Sequence, residues 1–112
     1  MLLATDLKFN ETLCELNLMS NNLGPRGAVE LAGALEANMV LTALDLSDNN
    51  LADHGNDLTG VQALASALSS NWVLLRVDLR YNPGLELGSE ALMDARERRS
   101  RQQSSKPLAI LL

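Results

Sequence analysis

At 112 residues the chain has the length of one domain and is too short for two. Hydrophobic residues make up 46 % of it but aromatics only 3 %, namely Phe9, Trp72 and Tyr81, so the core has to be aliphatic; 25 Leu and 13 Ala supply more than a third of all residues. A charged fraction of 21 % excludes a disordered polyelectrolyte, and no apolar stretch approaches the roughly 18 residues of a membrane span.

The net charge of −5 hides an asymmetry. Through Asp94 there are four basic residues against thirteen acidic ones; from Ala95 onward there are five basic residues against Glu97 alone. An acidic body speaks against nucleic acid on the folded surface, and only the basic tail suits a polyanion. The opening Met1–Asp6 lacks the basic stretch of a secretory signal, and the single cysteine, Cys14, cannot form an internal disulfide. Both features lead to the expectation of a reducing, cytoplasmic location.

Taken in chain order, the predicted elements repeat. Leu3 to Asn10 reads as the end of a helix, so residues 1–12 form a half repeat. Leu13-Cys-Glu-Leu16-Asn-Leu18-Met-Ser-Asn21-Asn-Leu23 opens a repeat over 13–40, with a strand at Leu16–Leu18 and a helix around Leu31 to Leu35. Leu41-Thr-Ala-Leu44-Asp-Leu46-Ser-Asp-Asn49-Asn-Leu51 opens a second over 41–73, with its helix around Leu64 to Leu68. Leu74-Leu-Arg-Val77-Asp-Leu79-Arg-Tyr-Asn82 opens a third over 74–95. The second repeat is longer than the first, and its extra residues fall around Gly55 to Gly60.

This LxxLxLxxNxL pattern, followed by a glycine and an L-A-x-A-L helix, resembles the leucine-rich repeats of the ribonuclease-inhibitor type over about residues 3 to 95. The resemblance implies an α/β solenoid with a short parallel sheet on the concave side, helices on the convex side, and a protein partner. The residues agree with it. Period-two alternation in Leu16-Asn17-Leu18 and its copies is that of a strand packed on one face, and apolar residues at i and i+4 give each helix one buried stripe. A strand joined by a crossover helix to the next must run parallel to it.

Asn21, Asn49 and Asn82 are expected as buried amides serving turn backbone. Asn10, Asn38 and Asn71 suit left-handed helix-ending positions, and Gly27 and Gly88 suit the turns before helices. The pattern decays at the end, where Arg96 stands in place of Leu35 and Leu68. The solenoid is therefore expected to stop near Ala95, leaving a flexible basic tail over 96–112, whose Ser100 and Ser104 invite modification and whose Leu108–Leu112 could fold back as a partial cap.

Enzymatic chemistry finds little support. Cys14 and His54 fall on different repeats, too far apart for a nucleophile and its base, and no catalytic set, cofactor site or phosphate loop is present in the pattern. Asp53-His54-Gly55-Asn56-Asp57 lacks the oxygen spacing of a calcium loop and has one histidine, so it reads as a solvated insertion rather than a metal site. Asn10-Glu11-Thr12 is a glycosylation sequon in form alone. Trp72 reads as a rim residue that covers a neighbouring loop.

Function is thus expected on the outward strand face: Glu15, Asn17 and Met19 on the first strand, Asp45 with Ala43 and Ser47 on the second, Arg76, Asp78 and Arg80 on the third, and Asp48 and Tyr81 at the strand ends. Arg80 and Tyr81 are residue types common in interface hot spots. Three strands at ~4.8 Å present about nine to twelve side chains, fewer than the roughly 20–30 of a standard interface, so loops or further repeats have to contribute. The opening half repeat fits a fragment or short member with an open strand edge, which favours self-association. The expected function is a non-catalytic protein-interaction module with a partner of unknown identity. The alternatives are a regulator resembling Ran GTPase-activating protein and a ribonuclease-inhibitor-like blocker, the latter expected to be richer in cysteine and aromatics.

Overall fold

Leucines at alternate positions can bury one face of a strand only if a second layer covers it, and here the helices do so. The computed structural model describes residues 2–101 and 106–112, with side chains from Thr5 onward. The elements run α1 (Leu2–Phe9), β1 (Glu15–Asn17), α2 (Gly24–Ala37), β2 (Ala43–Asp45), α3 (Thr59–Ser70), β3 (Arg76–Asp78), α4 (Ser89–Ser100) and β4 (Ala109–Leu111), with short 3₁₀ turns at Asp53–Gly55 and Leu85–Gly88. The strands form one parallel sheet in the order β1-β2-β3-β4, and the helices line up behind it in a slab of 36 × 30 × 17 Å.

The register places Leu16, Leu44, Val77 and Ile110 abreast. Leu44 and Val77 are buried, and Leu46, Leu79, Leu31, Leu35, Leu64 and Leu68 meet them from the strand ends and the helices. Each such side chain withdrawn from water contributes about 1.5–3 kcal/mol. Small residues bring α2 and α3 together: a methyl group on Gly60 would lie 2.7 Å from both the Ala28 Cβ and the Pro25 carbonyl oxygen, so this position tolerates no side chain. Gly27, expected in the turn before its helix, lies within α2, where its bare Cα faces the Leu23 side chain.

Two rows of buried polar side chains tie the repeats together where the backbone turns. At the end of each strand, Asn49 Nδ2 donates to the Leu18 and Leu46 carbonyls, and its Oδ1 accepts from the Asn21 and Leu23 amides. Asn82 repeats this one turn on, donating to Leu46 and Leu79 and accepting from Asn49 and Leu51. Asn21, expected to be buried like these two, is exposed; it donates to Leu18 and Met19 within its own turn. At the helix ends, Asn38 Oδ1 accepts from Val40 and Leu41 while its amide reaches back to Leu7 and Asn10, and Asn71 does the same for Val73, Leu74, Leu35 and Asn38. Neither is left-handed, contrary to expectation. Asn38 (φ −82°, ψ 119°) and Asn71 (φ −90°, ψ 111°) are extended, because the side chain rather than a backbone reversal satisfies the turn.

The largest departure from expectation is the tail. α4 continues past Ala95 to Ser100, and 109–111 add a fourth strand beside β3. Arg99 follows Asn71 at the same interval by which Asn38 follows Asn10; it takes the asparagine's place in the row and is fully buried. Its guanidinium donates to the carbonyls of Leu74, Trp72 and Lys106, linking α4, the preceding return and the approach to β4. Burial lowers its pKa from the ordinary guanidinium value. What composition presents as a solvated basic end therefore contains a core residue. Ser100 is exposed, its hydroxyl donating to the Glu97 carbonyl, and Ser104 lies outside the described residues.

The extra residues of the second repeat form a turn in which Asp53, His54 and Gly55 all have positive φ. This turn sits on Gly84 (φ +84°), where any side chain would collide with the Gly55 backbone. Gly84 in the third repeat thus makes room for the insertion in the second.

Replacing Arg99 with Met leaves three carbonyls without their donor and is expected to cost about 3 kcal/mol, lowering the thermal midpoint by roughly 10–20 °C. The same change at exposed Arg98 should shift it by no more than a few degrees. Parallel thermal melts of the two variants check this.

Candidate functional site

The concave face is built from the side chains that alternate with the buried leucines. Register sets them in rows across the sheet: Glu15, Ala43, Arg76 and Ala109 in one, Asn17, Asp45, Asp78 and Leu111 in the next. Met19, Ser47 and Arg80 follow at the strand ends, then Ser20, Asp48 and Tyr81. The expected outward residues of the three repeats are thereby brought together. Ala109 and Leu111 extend the face, and sequence reasoning misses them along with β4. Their signal is that Leu108-Ala-Ile-Leu111 stands as far beyond Leu75-Arg-Val-Asp78 as that stretch stands beyond Thr42-Ala-Leu-Asp45.

Hydrogen bonding divides these residues into two groups. Asn17, Asp45 and Asp78 are each used by the fold. The Asn17 Oδ1 accepts the Met19 amide at 2.9 Å, and the Asp45 Oδ1 accepts the Ser47 amide at 2.9 Å and the Ser47 hydroxyl at 2.6 Å. The Asp78 Oδ1 accepts the Arg80 amide at 3.1 Å. Each is a side-chain turn that ends its strand. Asp78 is buried, and Arg80 closes a two-pronged ion pair on it, Nε to Oδ1 at 3.0 Å and Nη2 to Oδ2 at 2.8 Å. Arg80 is thus committed to its own strand end. Ser47, placed outward by alternation, is buried.

The second group is not used in this way. Glu15, Met19, Arg76 and Tyr81 are exposed, and among the described residues no hydrogen bond or ion pair engages the side chains of Glu15 or Arg76. Asp48 is exposed and accepts the Ser20 hydroxyl at 2.7 Å. Tyr81 is 76 % exposed and sits at φ +61°, matching Ser20 (φ +59°) and Asp48 (φ +53°) in the other repeats. A bulky residue in the left-handed region costs about 1–2 kcal/mol, which short polar side chains partly recover locally. Tyr81 buries little that could offset that strain.

Glu15 and Arg76 stand on either side of Ala43. The small side chain between them leaves a hollow of about 470 Å³, lined by Glu15, Leu16, Asn17, Ala43, Leu44, Asp45, Arg76 and Asp78. Elsewhere, Cys14 precedes β1 and His54 follows β2, at opposite ends of the strands, and no group of acidic, histidine or cysteine side chains suited to a metal occurs among the described residues. Trp72 is exposed on the rim where helices return to strands.

The Arg80 hydrogen bonds hold the Asp78 carboxyl below the usual carboxylate range, and Asp78 in turn raises Arg80. A lowered folded-state pKa stabilises the fold above the unfolded value of about 3.9, and that contribution disappears as pH falls through the folded value. Urea midpoints of the wild type and Asp78→Asn should differ by a constant amount above about pH 5 and converge below about pH 4. A difference that persists unchanged to pH 2 would contradict this assignment.

Comparison with known proteins bears on the repeat alone. A family model described as a leucine-rich repeat matches residues 9–32 and 37–55, and no curated protein matches the chain. The matched stretches hold β1, β2 and the asparagines Asn10, Asn21, Asn38 and Asn49. The third copy and β4 rest on the sheet register.

Proposed function

Taking the chain as an α/β leucine-rich-repeat solenoid, we propose that it is a non-catalytic module that binds a protein partner on its concave face. One observation carries this reading: Glu15, Arg76 and Tyr81 are exposed on this face, and among the described residues no hydrogen bond or ion pair engages the side chains of Glu15 or Arg76. Tyr81 in particular keeps an exposed aromatic ring in a strained conformation, which is understandable if the ring is buried only in a complex. The acidic Glu15, Asp45 and Asp48 disfavour a polyanion on this face, which supports a protein rather than a nucleic acid as its ligand. No helix among the described residues is long and apolar enough to cross a membrane.

The ribonuclease-inhibitor-like subtype is supported by full α-helices in the crossovers and by the long repeats, 13–40 and 41–73, that hold them. A cytoplasmic setting is supported by the exposed lone thiol of Cys14, which suits a reducing compartment. Four strands span about 14 Å, still narrower than a standard interface, so rim residues such as Met19 and Tyr81 have to widen the contact. In the described sheet β1 and β4 each have one unpaired edge, which supports self-association as a secondary contact.

The test compares capture of a protein partner by the wild type, by a concave variant (Glu15→Ala, Arg76→Ala, Tyr81→Asn) and by a convex control (Arg26→Ala, Glu36→Ala). Capture should fall roughly tenfold or more with the concave variant and persist with the control. Equal capture by all three would remove the concave face from the account. Tyr81→Asn alone should raise the melting temperature while weakening capture, since Asn tolerates the left-handed region and loses only the exposed ring.

A further inference from the structure

The concave face carries a charge gradient across its strands. β1 and its end contribute the unpaired carboxylate of Glu15. β2 contributes Asp45, whose Oδ1 is occupied by the Ser47 turn, and the exposed Asp48 at its end. On β3 the Asp78–Arg80 pair is internally neutralised, leaving Arg76 as the group that presents a net charge. β4 presents only Ala109 and Leu111. The face is therefore negative over β1 and β2 and positive over β3, and the hollow above Ala43 lies between the two signs with Glu15 and Arg76 as its walls.

A binding segment has to match both signs. A uniformly basic one would meet Arg76, and a uniformly acidic one would meet Glu15 and Asp45; like charges brought together in a desolvated contact oppose association. Two strand spacings separate β1 from β3, about 10 Å, which an extended chain covers in about three residues. We propose that the hollow over Ala43 receives a protein segment bearing a basic and an acidic side chain about three residues apart, the basic one over Glu15 and Asp45 and the acidic one over Arg76. The assignment rests on the concave face being the binding surface and adds the chemistry of what it binds.

Selection of random peptides of about a dozen residues displayed on phage tests this with the full chain as target. The peptides recovered should carry Lys or Arg and Asp or Glu two to four positions apart. Their affinity should fall roughly tenfold on a Glu15→Gln, Asp45→Asn variant and fall again in raised salt. That variant preserves the turns, because Asn17 already performs the Asp45 role with an amide oxygen. Against Arg76→Glu the selection should instead yield peptides enriched in Lys and Arg alone.

Peptides of a single charge sign on the wild type, peptides indifferent to these variants, or no peptides at all would overturn the proposal. Tyr81→Asn separates the two levels. Recovered peptides that lack the charge pair but weaken with Tyr81→Asn retain the concave face and overturn only its charge rule. Peptides indifferent to every concave substitution overturn both.

Discussion

The structure depends on satisfying turn backbone inside an aliphatic core. Short strands alternate with helices, so the chain reverses at short intervals, and the inner reversals bury amides and carbonyls that no ladder can pair. Asn49 and Asn82 meet this need at one end of the strands, Asn38 and Asn71 at the other, each donating to carbonyls of the preceding repeat and accepting amides from its own or the preceding turn. An unsatisfied buried polar group costs about 1–3 kcal/mol, and each asparagine serves about four. Leucine burial supplies the drive to stack, but it is not directional. The asparagines fix the stagger of one repeat on the next.

That regularity decides which residues are left for binding. Because register is set from behind, each outward row crosses the sheet at a constant level, and the row Asn17, Asp45, Asp78 is drawn into the turns that end the strands. Arg80 is then neutralised by Asp78. What remains is a sparse set, Glu15, Arg76, Met19, Asp48 and Tyr81, whose positions change in charge and size from repeat to repeat, while the turn-forming row keeps an Asn or Asp. Asp48 and Tyr81 occupy the same left-handed position that Ser20 holds in the first repeat, and a polar side chain there suits the backbone better than an aromatic ring.

Much of this is legible in the sequence because the repeat speaks three times. Leu16, Leu44 and Val77 lie abreast as their alternation requires, whereas Ser47 and Asp78, which alternation assigns to the outward face, are buried. The tail is not legible, for a physical reason. Arg96 and Arg99 look like a solvated charge run, and only position shows that Arg99 stands after Asn71 as Asn38 stands after Asn10, in a row of interior hydrogen-bond donors. A guanidinium reaches farther than an amide, so the same task is done by a residue of opposite compositional meaning. The helix-ending asparagines are easily located but easily given the wrong backbone, since a left-handed reversal and a side-chain bridge are alternative ways to satisfy the same amides. Which site residues are spent on turns is likewise hidden, because Asp45 and Asp78 read identically whether they face a partner or their own strand end.

Native-state hydrogen exchange tests the central claim most directly. The amides of Leu41, Leu74, Asn49 and Leu51 donate to asparagine side chains rather than to any regular ladder. If those side chains hold the repeats in register, these four amides exchange only through global unfolding, as slowly as the central turns of α2 and α3. Fast exchange at these positions while the helices stay protected would show that the asparagines decorate a stack held together by leucines alone.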